Sequence, residues 1–264
     1  MNSNQSALTE TLLCKVPQIT LAFWVIKIMA TTVGETAADF LIFNVGLGLV
    51  VTSLIMSALL VAVIAYQLKL REYVATSYWL VVVFVSIVGT LISDYMVDDL
   101  GISLVTTTIA FSIGLAVTFL AWYASERTLS IHSIFTRKRE LFYWAAILFT
   151  FALGTSAGDL IAEHFGLGYG VSALIFGALI ACVYAAYRFG GGAVLTFWVA
   201  YILTRPFGAS MGDLLSQPTN HGGLGLGTTG TSVLFLVTIA GLVTYLTVTK
   251  KDKIEESATP SLSV

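Results

Sequence analysis

Charge is scarce in this sequence. Asp, Glu, Lys and Arg together make up 11% of its 264 residues, against about a quarter in soluble domains. With 57% hydrophobic residues beside them, that excludes a soluble domain of useful size. Cysteine is nearly absent as well: Cys14 and Cys182 are the only two, and isolated thiols build neither a disulfide framework nor a soft-metal site. The histidines, His132, His164 and His221, are too few and too scattered for a metal centre. With only 4 prolines, long stretches are free to be helical. No H-E-x-x-H, P-loop or G-x-S-x-G occurs, so neither an enzyme nor a cofactor is expected. A nucleic-acid partner is not expected either. The first 18 residues have no basic n-region and no small-residue cleavage site, so they do not read as a cleaved signal peptide.

What is present is apolar sequence in span-length blocks. A bilayer needs about 20 apolar residues per helix. Such stretches fall at roughly 19–42, 47–68, 76–97, 102–124, 141–163, 168–188, 194–216 and 228–249. The chain therefore reads as an all-α polytopic membrane protein with eight transmembrane helices. Of the 13 Lys and Arg, only Lys27 and Arg205 fall in the interior of these stretches. The other eleven are Lys15, Lys69, Arg71, Arg127, Arg137, Lys138, Arg139, Arg188, Lys250, Lys251 and Lys253. All eleven lie in the N-terminal segment, the even-to-odd connections or the tail. The remaining connections have no Lys or Arg, and carry Asp98, Asp99, Glu163, His164 and His221 instead. By the positive-inside rule both termini are expected in the cytoplasm.

The odd stretches repeat one another. An aromatic-Trp pair, then nine residues, Gly, four residues and Asp occur four times without a gap. The copies are Phe23-Trp24/Gly34/Asp39, Tyr78-Trp79/Gly89/Asp94, Tyr143-Trp144/Gly154/Asp159 and Phe197-Trp198/Gly208/Asp213. Seven residues after the first three aspartates stand Gly46-Leu47-Gly48, Gly101-Ile102-Ser103 and Gly166-Leu167-Gly168. Gly223-Leu224-Gly225 reads as the fourth, after three extra residues. The expected units are 19–73, 74–136, 137–191 and 192–249, between an N-terminal segment 1–18 and a tail 250–264. A two-span unit returns the chain to its starting side, so the repeats are parallel and quasi-symmetric, with odd helices expected inside and even helices outside.

Identical spacing puts the tryptophans at one depth, where interface anchoring is expected. The aspartates then lie about 22 Å further out. At about 100° per residue, Trp, Gly and Asp share one face. That face also holds Lys27, Thr31, Glu35 and Ala38 in the first helix, and Tyr201, Arg205, Ala209, Gly212 and Ser216 in the seventh. A polar and small-residue stripe belongs to a bundle interior.

The stretches "KVPQITLAFWVIKIMATTVGETAADFL", "YWLVVVFVSIVGTLISDYMVDDLGI", "ILFTFALGTSAGDLIAEHFGLGYG" and "AYILTRPFGASMGDLL" resemble a bacterial membrane-protein family of unknown function built from four tandem two-span repeats, each with a tryptophan. The resemblance implies a bacterial inner-membrane location. It brings no substrate, fold or catalytic residue with it.

Asp39, Asp94, Asp159 and Asp213 are candidate ligands of a shared ion or metal site, since carboxylate rings select cations. Thr36, Thr90, Ser93, Thr155, Ser156 and Ser210 stand nearby as neutral oxygens. The alternative is that each aspartate closes its own helix. Lys27, Glu35 and Arg205 break the fourfold pattern and are candidate coupling or gating charges, with Glu35 also a candidate ion ligand. Arg205 with Glu35 is the natural pair, and a purely structural ion pair is the other reading. Gly34, Gly89, Gly154 and Gly208 are expected at close helix contacts; the other reading makes them hinges of broken helices whose freed carbonyls line a site, and Pro206 marks the best place for a kink. The loop 216–230 is either a lid or a plain connection. Together these residues point to a transporter or channel for an inorganic cation. A scaffold or sensor, or a carrier of a small anion or zwitterion, are the alternatives.

Overall fold

The computed structural model describes residues 14–252. Lys253, residues 1–13 of the N-terminal segment and 253–264 of the tail lie outside them. Eight long helices follow one another: α1 (Leu21–Asp39), α2 (Leu49–Gln67), α3 (Ala75–Asp94), α4 (Leu104–Glu126), α5 (Arg137–Asp159), α6 (Gly168–Arg188), α7 (Ala193–Ser216) and α8 (Thr228–Thr249). Thr20, Ser103 and Thr136 cap α1, α4 and α5 by accepting a backbone N–H, which satisfies one of the free donors of each first turn. Among the described residues, six helices are long and apolar enough to cross a membrane: α2 to α6 and α8. The chain is a multi-pass membrane protein. The other two, α1 and α7, are the ones that hold Lys27 and Glu35, and Arg205 and Asp213.

The odd helices form a closed ring in which α1 packs on α3, α3 on α5, α5 on α7 and α7 on α1. The even helices lie outside. Each packs on the odd helix of the following repeat: α2 on α3, α4 on α5, α6 on α7, and α8 back on α1. Their outward side chains are apolar, as with Leu54, Val61, Leu120, Leu174 and Val237. Apolar atoms on that surface suit lipid.

The four repeat glycines are where the ring closes up. A Cβ on Gly34 would strike Ser86, one on Gly89 would strike Phe151, one on Gly154 would strike Arg205, and one on Gly208 would strike Thr31. Thr31, Ser86, Phe151 and Arg205 each stand three residues before the glycine of their own helix. The same contact is therefore made four times around the ring. Small residues here let the backbones approach as expected. Helix α7 stays helical through Pro206, whose ring packs against Gly154 and Gly158 of α5.

After Asp39, Asp94 and Asp159 the helix widens into one π turn, at Phe40–Asn44, Tyr95–Asp99 and Leu160–His164. The chain then reverses through a glycine of positive φ, Gly46 (77°), Gly101 (65°) or Gly166 (67°), a backbone that only glycine adopts freely. The fourth copy corrects the sequence register. Its reversal is at Gly225 (73°), and the Leu226 N–H reaches the Leu215 carbonyl as the Leu47 N–H reaches Leu41. The structural counterpart of Gly46-Leu47-Gly48 is thus Gly225-Leu226-Gly227, with five extra residues rather than three. The insertion takes a 3₁₀ turn at Thr219–His221 in place of the π turn.

Both ends of the described chain meet at the other end of the ring. The Gln18 N–H donates to the Asp252 carbonyl, and Tyr73 donates to the Asp252 carboxylate. Lys15 is buried there against Glu140 at 2.6 Å, with Gln67 donating to the second oxygen of Glu140. The aromatic-Trp pairs sit at this end too. Trp79, Trp144 and Trp198 are buried with Phe23, Tyr78, Tyr143 and Tyr201, and Trp24 is half-buried. This corrects the expectation of interface anchors: the rings face each other across the converging helices, as in Phe23–Trp79 (5.5 Å) and Trp122–Trp198 (5.8 Å), and close the bundle as an aromatic layer.

Candidate functional site

The C-terminal ends of the odd helices surround a cavity of about 670 Å³. Asp39, Asp94, Asp159 and Asp213 all line it, with Glu35 deeper and Asp98, Asp99 and Glu163 from the connecting turns. Equal spacing in four parallel helices brings the four aspartates to one vestibule, because each odd helix presents the same position to the ring axis. Asp213 is buried, and the other three are half-buried. Gln217, delivered by the extended end of α7, donates to Asp39 at 3.3 Å. The carboxylates form the wall of the vestibule. Among the described residues, no group of three or more His, Cys, Asp or Glu side chains is arranged to hold a metal ion. The four aspartates share the wall of one cavity, and that shared wall is the candidate ion site.

Below the vestibule the ring axis carries fixed charge. Four residues follow the repeat glycines directly: Glu35, Thr90, Thr155 and Ala209. The Arg205 side chain, reaching in from α7 and fully buried, bonds three of them. Its guanidinium donates to Glu35 Oε2 at 3.2 Å, to Thr155 Oγ1 at 2.7 Å and to Thr90 Oγ1, and also to the Thr31 carbonyl at 3.3 Å. Thr90 in turn donates to Glu35 at 3.4 Å. The expected Arg205–Glu35 pair is present, and the guanidinium lies at the centre of the ring. Thr90 and Thr155, near the aspartates in sequence, bond the arginine instead. The signal that reveals this is their shared place one residue past the glycine.

Lys27 lies one level deeper, fully buried. It donates to the Tyr201 carbonyl at 2.8 Å and to the Thr204 hydroxyl, and its ammonium sits 3.9 Å from the centre of the Tyr201 ring. Among the described residues no carboxylate lies within ion-pair distance of it. The Phe151 ring lies 5.4 Å from Lys27 and 5.6 Å from Arg205. The aromatic layer follows. The axis thus passes from an acidic mouth, through Glu35, Arg205 and Lys27, to the aromatic rings and the Lys15–Glu140 pair.

A family model described as Repeat of Unknown Function (DUF347) matches the chain four times, at residues 22–73, 77–128, 142–191 and 196–252. No curated protein and no solved structure matches it.

Proposed function

Because the chain belongs to this four-repeat family, matched over most of its length, and the family brings no substrate, we propose from the site alone that it is a transporter of an inorganic cation. It spans the membrane eight times with both termini in the cytoplasm. The acidic vestibule then faces outward, a placement that the distribution of Lys and Arg supports. The observation that carries the reading is the single cavity lined by Asp39, Asp94, Asp159, Asp213 and Glu35. Carboxylate-lined mouths raise the local cation concentration. A simple pore is disfavoured by Arg205 on the same axis, since a guanidinium keeps its charge and repels a passing cation. A carrier, in which this charge moves or exchanges partners, accommodates both facts.

Purified protein in proteoliposomes under an imposed cation gradient tests the reading. Saturable cation flux is expected. Replacing the four vestibule aspartates by asparagine should raise the half-saturating concentration at least tenfold, to a degree that depends on ionic strength. Wild-type vesicles no more permeable to any tested cation than empty ones would overturn the proposal. Flux of a small anion or zwitterion in their place would assign the carrier to that class.

A further inference from the structure

The contacts of Arg205 describe a site as much as a side chain. Its guanidinium is surrounded by oxygen acceptors: one carboxylate (Glu35), two threonine hydroxyls (Thr90 and Thr155) and one carbonyl (Thr31). All four residues are buried, Glu35 at 7% exposure and the others at none. These acceptors come from three different helices of the ring, and three of the four hold equivalent places in the repeats. The fourth equivalent, Ala209, brings no acceptor, and it is from its helix that the arginine enters. Glu35 also lines the vestibule, so the site opens directly onto the place where cations gather. One buried donor of the arginine, Nε, has no hydrogen-bond partner among the described residues.

We infer that the cage of Glu35, Thr90, Thr155 and Thr31 is the inner binding site for a monovalent cation, and that Arg205 is a tethered occupant which the substrate displaces. The inference rests on the cation-carrier reading and adds the place and the class of ligand. One carboxylate balances one positive charge. Three neutral oxygens beside it form a coordination set suited to a monovalent ion, whereas hard divalent cations favour several carboxylates. Arg205 cannot lose its proton, so it leaves the cage only by moving. An entering cation replaces its charge beside Glu35, which is never left buried alone. Exchange of one cation for another explains how a positive side chain can stand on a cation path without blocking it permanently.

Two variants test this, with free guanidinium ion as the probe. Arg205→Ala empties the cage and leaves Glu35 without its partner. Millimolar guanidinium chloride should then raise the apparent melting temperature of the detergent-solubilised variant, saturably. Equal concentrations of tetramethylammonium chloride should not, and the Arg205→Ala/Glu35→Gln double variant should not respond. The absence of a guanidinium-specific, Glu35-dependent shift overturns the inference. Glu35→Gln alone keeps the shape of the side chain and covers the case in which Arg205→Ala does not fold. In proteoliposomes it should lose at least tenfold in cation flux, and wild-type flux from it also overturns the inference. Failure of wild-type flux would instead strike the carrier reading, while the melting shift still reports on the cage.

Discussion

Adding one methyl group to Gly89 puts the ring closure to the test. A Cβ at this position would lie 2.7 Å from Phe151 Cβ, 3.1 Å from the Ala152 nitrogen and 3.2 Å from the Phe151 carbonyl carbon. Carbon atoms settle at about 3.5–4.0 Å, so α3 and α5 must separate by roughly 1 Å. The obstacle is backbone and a Cβ, and no rotamer change removes it. In a closed ring the displacement also passes to the other three helix contacts. Overpacking of this kind costs about 1–3 kcal/mol. Gly241 is the matched control: it lies inside α8 with nothing within 4 Å of an added Cβ. There the change to alanine should stabilise by about 0.5–1 kcal/mol, because alanine loses less backbone freedom in a helix. The two single methyl additions therefore carry opposite signs. Apparent melting temperature in detergent, read by fluorescence-detected size exclusion, compares them directly. If Gly89→Ala melts at or above the wild-type temperature, the tight fourfold contact is not what holds the ring.

Three further expectations follow from the same geometry. Lys15→Ala leaves Glu140, 1% exposed, without its cation and should destabilise by about 3–5 kcal/mol; a Lys15→Met/Glu140→Leu double variant should recover much of that loss in the same melting assay. Arg205→Leu alone should be similarly damaging. Arg205→Leu/Glu35→Leu should fold near wild-type stability yet show no cation flux, and retained flux would make the pair purely structural. Reporter fusions after residues 45, 100, 165 and 222 should all read as external, and an internal signal at any of them breaks the eight-span scheme.

The ring was readable because spacing is a geometric statement. Identical intervals from Trp to Gly to Asp in four parallel helices fix both depth and azimuth, and the structure brings Asp39, Asp94, Asp159 and Asp213 to one cavity on that account. The partner of Arg205 was readable because Glu35 is the one unrepeated acid near its level. The tryptophans were misjudged because a ring at the end of a helix has the same sequence signature whether it meets headgroups or other rings; only the convergence of four helices decides. The pairing of even helices was not readable at all. Helices such as Leu49–Gln67 are apolar all round and have no stripe to point at a neighbour. Lys15 counted as one more basic residue near the membrane, and its burial against Glu140 depends on the N-terminal segment folding across the ring.

The outward reach of each even helix to the next repeat has a consequence for what a repeated chain can do. Four separate hairpins could build the same ring, each lending its second helix to its neighbour as in a domain-swapped homotetramer. Such an assembly must place four copies of every axial residue around one centre: four arginines, or four glutamates, or four lysines. Like charges crowded into a buried site repel and cannot all remain ionised. Joining the hairpins covalently lifts that restriction. One arginine, one glutamate, two threonines and an alanine can then share a single level, with one lysine beneath. Concatenation here is a means of placing a lone charge at the centre of a symmetric object.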